Sequence, residues 1–216
     1  LRTARGPERV VIDPAHGGED TGVIGPAGLV EKDVVLGVAK ALRERLSGRI
    51  GREVLLTRED DRALDVTQRA ARSNDPANTL FISVHCGGAL SQEAAGVAVF
   101  YLPDVVDESM RQLAPAQRQE ALERRTANAT VSRRLAERVA QTLSDRTGAP
   151  SRGVRGVPSR LLMAVDSPGI LVEIGCLTSP AEEERMGGAG YQEEVAQAMA
   201  EAILAHYGLD TQGAAR

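Results

Sequence analysis

Aromatic side chains are almost missing from this 216-residue chain, which has three Tyr, two Phe and no Trp. Stacking surfaces for bases and sugars are built from such rings, so their scarcity argues against a single-strand nucleic-acid binder and against a built-in glycan platform. A basic excess is missing too. The formal charge of −4 argues against nucleic acid or an anionic membrane as the main partner. No apolar run approaches the ~20 residues that cross a bilayer, so no membrane span is expected. The two cysteines, Cys86 and Cys176, decide nothing by count alone. The chain begins at Leu1 rather than Met and carries no signal-peptide pattern, as expected of a trimmed or mature form, so its compartment is not legible at that end.

What is present is ordinary in amount and specific in order. The hydrophobic content of 42% and charged content of 26% are those of a globular protein, and a chain this long buries roughly 70% of its unfolded surface without staples. A single domain is the expectation over 9–208, with a leader or linker at 1–8 and a frayed tail at 209–216. Strands are predicted at 9–13, 53–58, 80–85, 96–102, 158–165 and 170–174. A helix is predicted from Glu31, where Val34, Val35, Val38, Leu42 and Leu46 share one face. A short helix is expected at 65–74, with Asp65 as N-cap and Arg69 and Arg72 on its outer face. Residues 103–130 are highly charged and broken at Pro115, so two short helical pieces are expected there. Val131, Leu135, Val139 and Leu143 then mark a helix, and Val195, Met199 and Ile203 the last one. Strands alternating with helices give an α/β fold, a mostly parallel or mixed central sheet with helices on both faces.

Only three histidines occur in the chain, and two of them directly follow short apolar runs. His16 stands in Asp13-Pro14-Ala15-His16-Gly17-Gly18 and His85 in Ser83-Val84-His85. Strand ends of an open α/β sheet are where ligand-binding residues collect. Two such histidines and an acid, Glu31, make a three-ligand zinc site with a fourth position left for water. Each also has a plainer reading: a loop histidine, a strand-end histidine bonded to backbone, and an acid favoured by the helix dipole. His206, in the last turn of the final helix, suits that dipole and is left outside the site. Glu173 shifts the balance. It lies among strong strand formers in Gly169-Ile170-Leu171-Val172-Glu173-Ile174-Gly175, where a carboxylate is costly unless partnered. It is either turned to solvent by strand alternation or poised as a base.

These segments in this order resemble the zinc-dependent N-acetylmuramoyl-L-alanine amidases with the Asp-Pro-Gly-His-Gly-Gly signature. The likeness includes residues 12–18, Glu31-Lys32, Leu56-Thr57-Arg58, Arg69, 81–85, Gly96-Val97, Arg152-Gly153-Val154 and 171–175, together with the Thr178-Ser179-Pro180 turn and the acids at 182–184. It implies that His16, Glu31 and His85 hold Zn2+ and that Glu173 is the catalytic acid/base. It further implies hydrolysis of the amide between the lactyl group of N-acetylmuramic acid and L-alanine, in peptidoglycan of the periplasm or cell envelope, during wall remodelling or daughter-cell separation. Competing readings are another zinc peptidoglycan hydrolase, a carboxypeptidase or deacetylase, and a wall-binding domain that has lost catalysis.

The departures from the family pattern are local. Ala15 stands where a Gly is usual, and Cys86-Gly87-Gly88 follows His85 where the family usually has Ala-Asn-Ala. Cys86 and Cys176 are open to three readings: a disulfide bracing the site's rim, two separate buried thiols, or an extra zinc ligand. In cell-division amidases an inserted helical segment covers the cleft until a protein activator relieves it, and one of its glutamates takes the open zinc position. By that resemblance Glu108, Glu120 and Glu123 are the candidates in 103–130. The plainer alternative is a solvated charged helix.

Overall fold

The β-branched run at the start of the chain packs on both sides at once. In β1 (Arg9–Pro14) Val10 and Ile12 enter one core and Val11 enters another, all fully buried. A strand buried on both faces belongs in the middle of a parallel sheet. The computed structural model, which describes residues 6–51, 53–73 and 78–209, places it there. The other strands are β2 (Glu53–Leu56), β3 (Thr79–Gly87), β4 (Val97–Tyr101), β5 (Ser151–Gly156) and β6 (Gly169–Cys176), in the sheet order β2-β1-β3-β6-β4-β5. The first four of that order run parallel, β4 is antiparallel to β6, and β5 is parallel to β4. The chain passes from β1 to β2 on one side and to β3 on the other. This makes the carboxyl end of β1 a topological switch point, where open α/β sheets bind their ligands.

The two faces are unequally covered. One carries α1 (Glu31–Leu46), α4 (Pro115–Thr147) and α7 (Ala189–His206) over the large core. The other carries only α2 (Val66–Ala71) and α5 (Arg160–Met163), over a small cluster around Val11 and Phe81. Of the remaining helices, α3 (Glu108–Arg111) packs against α4, and α6 (Pro180–Gly187) packs against α7 and β6. Alternation sends Asp13 of β1, Ser83 and His85 of β3 and Glu173 of β6 to the thinly covered face. Two short helices leave the ends of those strands accessible.

Four expectations change. Residues 158–165 hold α5 rather than a strand, and the sixth strand is β5 at Ser151–Gly156. Apolar runs as short as Leu161-Leu162-Met163 carry no decisive period. Pairing with β4 makes an edge strand of a segment whose glycines and arginines disguise it. The 103–130 stretch is not two short pieces broken at Pro115: α3 stands alone, and Pro115 opens a single 33-residue helix. Proline suits that position because its missing N–H would go unbonded there anyway. The helix expected from Val131 is the second half of α4, ended by Gly148 in the left-handed conformation. Arg69 does not lie on an outer face; it is 7% exposed. Asp65 does cap α2, through a reciprocal bond with Gln68. The expected end of that helix at Asn74, residues 1–5 of the leader and 210–216 of the tail lie outside the described residues.

The antiparallel turn of β4 decides where the charged segment goes. Tyr101 pairs with Ile170 at the start of β6, so residues 103–130 leave from the sheet end opposite the carboxyl ends of β1 and β3. Asn128 donates to the Asp166 carbonyl at that far end. Asp107 caps α3 on the Met110 N–H and pairs with Arg125 at 2.7 Å. The Ser109 hydroxyl, the Met110 N–H and Arg125 hold its carboxyl at about 2, against an opposing push from burial. A depressed carboxylate stabilises the fold above its ordinary pKa of 3.8, and that contribution is lost as pH falls. Asp107→Asn keeps a capping side chain but loses the ion pair. Its melting temperature is expected below wild type at pH 7, with the gap closing between roughly pH 4 and pH 2 in thermal melts.

Candidate metal centre

The turn after β1 is fixed by buried charge. Asp13 is wholly buried and accepts from Thr57 Oγ1, Ser83 Oγ and Arg69 Nη1, the last at 2.8 Å. Two guanidinium groups then take the next three carbonyls. Arg58 donates to Pro14 O at 3.0 Å and Ala15 O at 2.7 Å, and Arg69 donates to Pro14 O at 2.9 Å and His16 O at 2.8 Å. They hold His16 at φ 60°, the one non-glycine residue with positive φ among those described. A side chain in that region costs of the order of 1–3 kcal/mol and persists only where its surroundings impose it. Ala15, in place of the usual Gly, is 2% exposed.

Glu31 is the first residue of α1 and is 1% exposed. Its Oε2 accepts the Val23 N–H at 2.8 Å and its Oε1 the Cys86 N–H at 2.8 Å. The same Oε1 stands 3.2 Å from His16 Nε2 and 3.2 Å from His85 Nδ1. Ligand atoms of all three side chains lie within 4.8 Å of one another. The imidazoles meet edge to face at 5.3 Å. Burial alone would raise the Glu31 carboxyl, but His16, His85 and the Val23 N–H outweigh it and bring it well below the usual range. Glu31 also raises His16 against burial, with help from Asp20. Asp20 receives His16 Nδ1 at 2.8 Å, which leaves Nε2 free to face a cation. The loop 21–30 closes over this cluster only because residue 22 is Gly. At φ 66° a Cβ there would lie 2.5 Å from Glu31 Oε2.

The three residues named from sequence as ligands therefore come together and could hold a metal ion. Buried carboxylate and imidazole nitrogens suit zinc. Glu173 stands beside them, paired in register with His85 across β3 and β6. It is neither buried without a partner nor turned fully to solvent: its side chain is 21% exposed and its Oε2 meets Arg152 Nη1 at 3.0 Å. Cys86 and Cys176 are both free and buried, so neither the disulfide nor the thiolate ligand is realised. Cys86 enters the site by its backbone N–H alone, and burial pushes its thiol up. Glu108 pairs with Arg111 and Glu123 accepts from Gln119, on a segment at the far end of the sheet. Of the two readings of Glu108, Glu120 and Glu123, this placement favours the solvated charged helix, since β4 carries their segment away from the centre. Asp20 was missed, although its place four residues after His16 in a Gly-rich turn was a usable signal. Glu182 and Glu183 were read only as acids after a turn. Glu182 in fact bonds the Gly96 and Cys176 N–H groups, and Glu183 ties the 21–30 loop through Ala27 and Leu29.

An open α/β sheet with a His-Glu-His cluster at its switch point, and a second carboxylate beside it, defines the class of α/β hydrolytic proteins with a candidate metal centre. The sequence matches the N-acetylmuramoyl-L-alanine amidase family profile over residues 10–205. The chain belongs to that family. It is 30% identical to the amidase AmiC of Neisseria meningitidis over 90% of its length, and 30% identical to AmiA of Escherichia coli over 92%. It spans 51% of the first relative and 75% of the second. Among solved structures, an N-acetylmuramoyl-L-alanine amidase from Clostridium difficile superposes with a TM-score of 0.75 at 26% identity, covering 93% of this chain and 96% of that one.

Asp20 orients His16 from the exposed rim, where its removal leaves no buried charge behind. If the cluster holds zinc, Asp20→Ala is expected to lower the affinity for it about 10–100-fold with little change in melting temperature. A titration against a chromophoric chelator reads the first, and a thermal melt the second.

Proposed function

We propose that this chain is a zinc-dependent amidase in which His16, Glu31 and His85 hold the metal and Glu173 is the general acid/base. The observation that carries this reading is the convergence of two imidazole nitrogens on one buried carboxylate oxygen, each at 3.2 Å, with Glu173 in register on the next strand. Zinc held there supplies Lewis acidity, which activates water near neutral pH and polarises a carbonyl oxygen. Glu173 takes the proton released as water attacks the amide between the lactyl group and L-alanine, then hands it to the departing alanine amine. Asp20 keeps His16 in one tautomer. Arg58 and Arg69 keep its backbone in place, so the ligand is set before any substrate arrives.

The catalytic unit is residues 9–208, and peptidoglycan is its substrate partner. Wall remodelling or daughter-cell separation, in the periplasm or cell envelope, is the role this reading assigns, and the amidase names of the relatives AmiA and AmiC agree with action on the wall. Among the described residues no helix is long and apolar enough to cross a membrane. A protein activator of this chain would act by some means other than lifting Glu108, Glu120 or Glu123 off the metal. Replacing all three with Gln is expected to leave zinc affinity and turnover at wild-type values in a side-by-side chelator titration and digestion assay.

The test of the main reading is mass spectrometry of digested peptidoglycan, with zinc-loaded wild type, chelated protein and Glu173→Ala. Free stem peptides beginning with L-alanine are expected from the first alone. Cleavage at another bond would indicate a carboxypeptidase or deacetylase. Full zinc occupancy without any product would indicate a wall-binding domain.

A further inference from the structure

The pair Arg152–Glu173 is held by three local irregularities that the reaction as described does not use. In the β3–β6 pairing His85 faces Glu173 but Gly87 faces Cys176, so β6 carries one extra residue just past Glu173. In the β4–β5 pairing Val97 faces Ser151 but Val99 faces Val154, so β5 carries one extra residue at Arg152-Gly153, with Gly153 at φ 91°. Bulges re-aim side chains next to active sites. Here the second one lets an edge-strand arginine reach across β4 to β6, passing over Ala98, the small residue opposite Glu173. The third irregularity is Gly87. A Cβ at that position would lie 2.6 Å from Arg152 Nη1 and 2.8 Å from Glu173 Oε2, so the guanidinium occupies the space that a side chain would take.

From this geometry we infer that Arg152 is a positioning residue for Glu173, and that Gly87 exists in this chain to admit it. The inference rests on Glu173 being the acid/base. A glutamate has three rotatable bonds, and a half-exposed one samples orientations that point away from the reacting atoms. The bond from Arg152 Nη1 fixes Oε2 at 3.0 Å and leaves Oε1 as the oxygen that exchanges protons. Misplacement of a reacting group by about 1 Å costs on the order of 100-fold in rate, so the pair governs turnover rather than affinity.

The experiment compares wild type, Arg152→Ala, Arg152→Lys, Gly87→Ala and the Gly87→Ala/Arg152→Ala double variant. All are zinc-loaded, with kcat and KM measured on soluble muropeptides and zinc content and melting temperature recorded for each. Arg152→Ala is expected to lose about 10–100-fold in kcat with KM and zinc content unchanged. Added guanidinium, at concentrations that do not shift the melt, restores part of it. Arg152→Lys falls between, since an ammonium supplies charge without the planar fork. Gly87→Ala loses comparable activity and is not rescued, and the double variant is no worse than the weaker single one. A second readout is carbodiimide labelling of Glu173 followed by peptide mass spectrometry, expected to be faster in Arg152→Ala. Should any variant unfold, this labelling on Arg152→Lys decides alone. Wild-type kcat in Arg152→Ala, a change confined to KM, or additive losses in the double variant would overturn the inference. An active Glu173→Ala would overturn instead the reading on which it rests.

Discussion

Asp13 is a carboxylate with no exposure to water, and its partners settle the shape of everything downstream of β1. Breaking such a buried pair costs about 3–5 kcal/mol because one charge is stranded, so Asp13, Arg69 and the adjacent Arg58 form a unit that stands or falls together. Its product is a turn whose three successive carbonyls are each spoken for by a guanidinium. His16 inherits a left-handed backbone from that turn, and with it the direction in which Nε2 faces. The histidine is placed from behind, by the backbone, while Asp20 trims its ring from the front.

The second constraint is the inequality of the two sheet faces. A thick layer of three long helices supplies the core, and α1 presents Glu31 from that layer at the switch point. A thin layer of two short helices leaves His85 and Glu173 partly open at the ends of their strands. Burial of Glu31 and partial exposure of the histidines thus come from one topology. Glu31 sits buried between two N–H donors and two imidazoles, while the His16 and His85 side chains keep partial exposure.

Bulges explain how the Glu173 carboxylate can stand beside this cluster without joining it. His85 and Glu173 are neighbours across one register position, yet β6 shifts just past Glu173 and β5 shifts at Arg152. The carboxylate is drawn toward β5 rather than toward the imidazoles. Arg152 provides the partner that a half-buried acid requires.

The sequence alone determined the fold class and the helix that carries Glu31, and it marked as candidates His16, Glu31, His85 and Glu173, which the fold brings to one end of the sheet. Each sits in a strongly patterned local context, a buried strand end or a helix start, and the motifs fall in a fixed order. Tertiary structure alone decided which charges are structural. Arg69 looked like an outer-face residue, and Glu182 and Glu183 carried no structural role in the sequence, because charge in a sequence does not say whether a partner waits across 56 or 86 residues. It also decided the direction of β4. One antiparallel strand sends the charged segment to the far end of the sheet, and strand direction is set by which edges find pairing partners, a property no local pattern of residues contains.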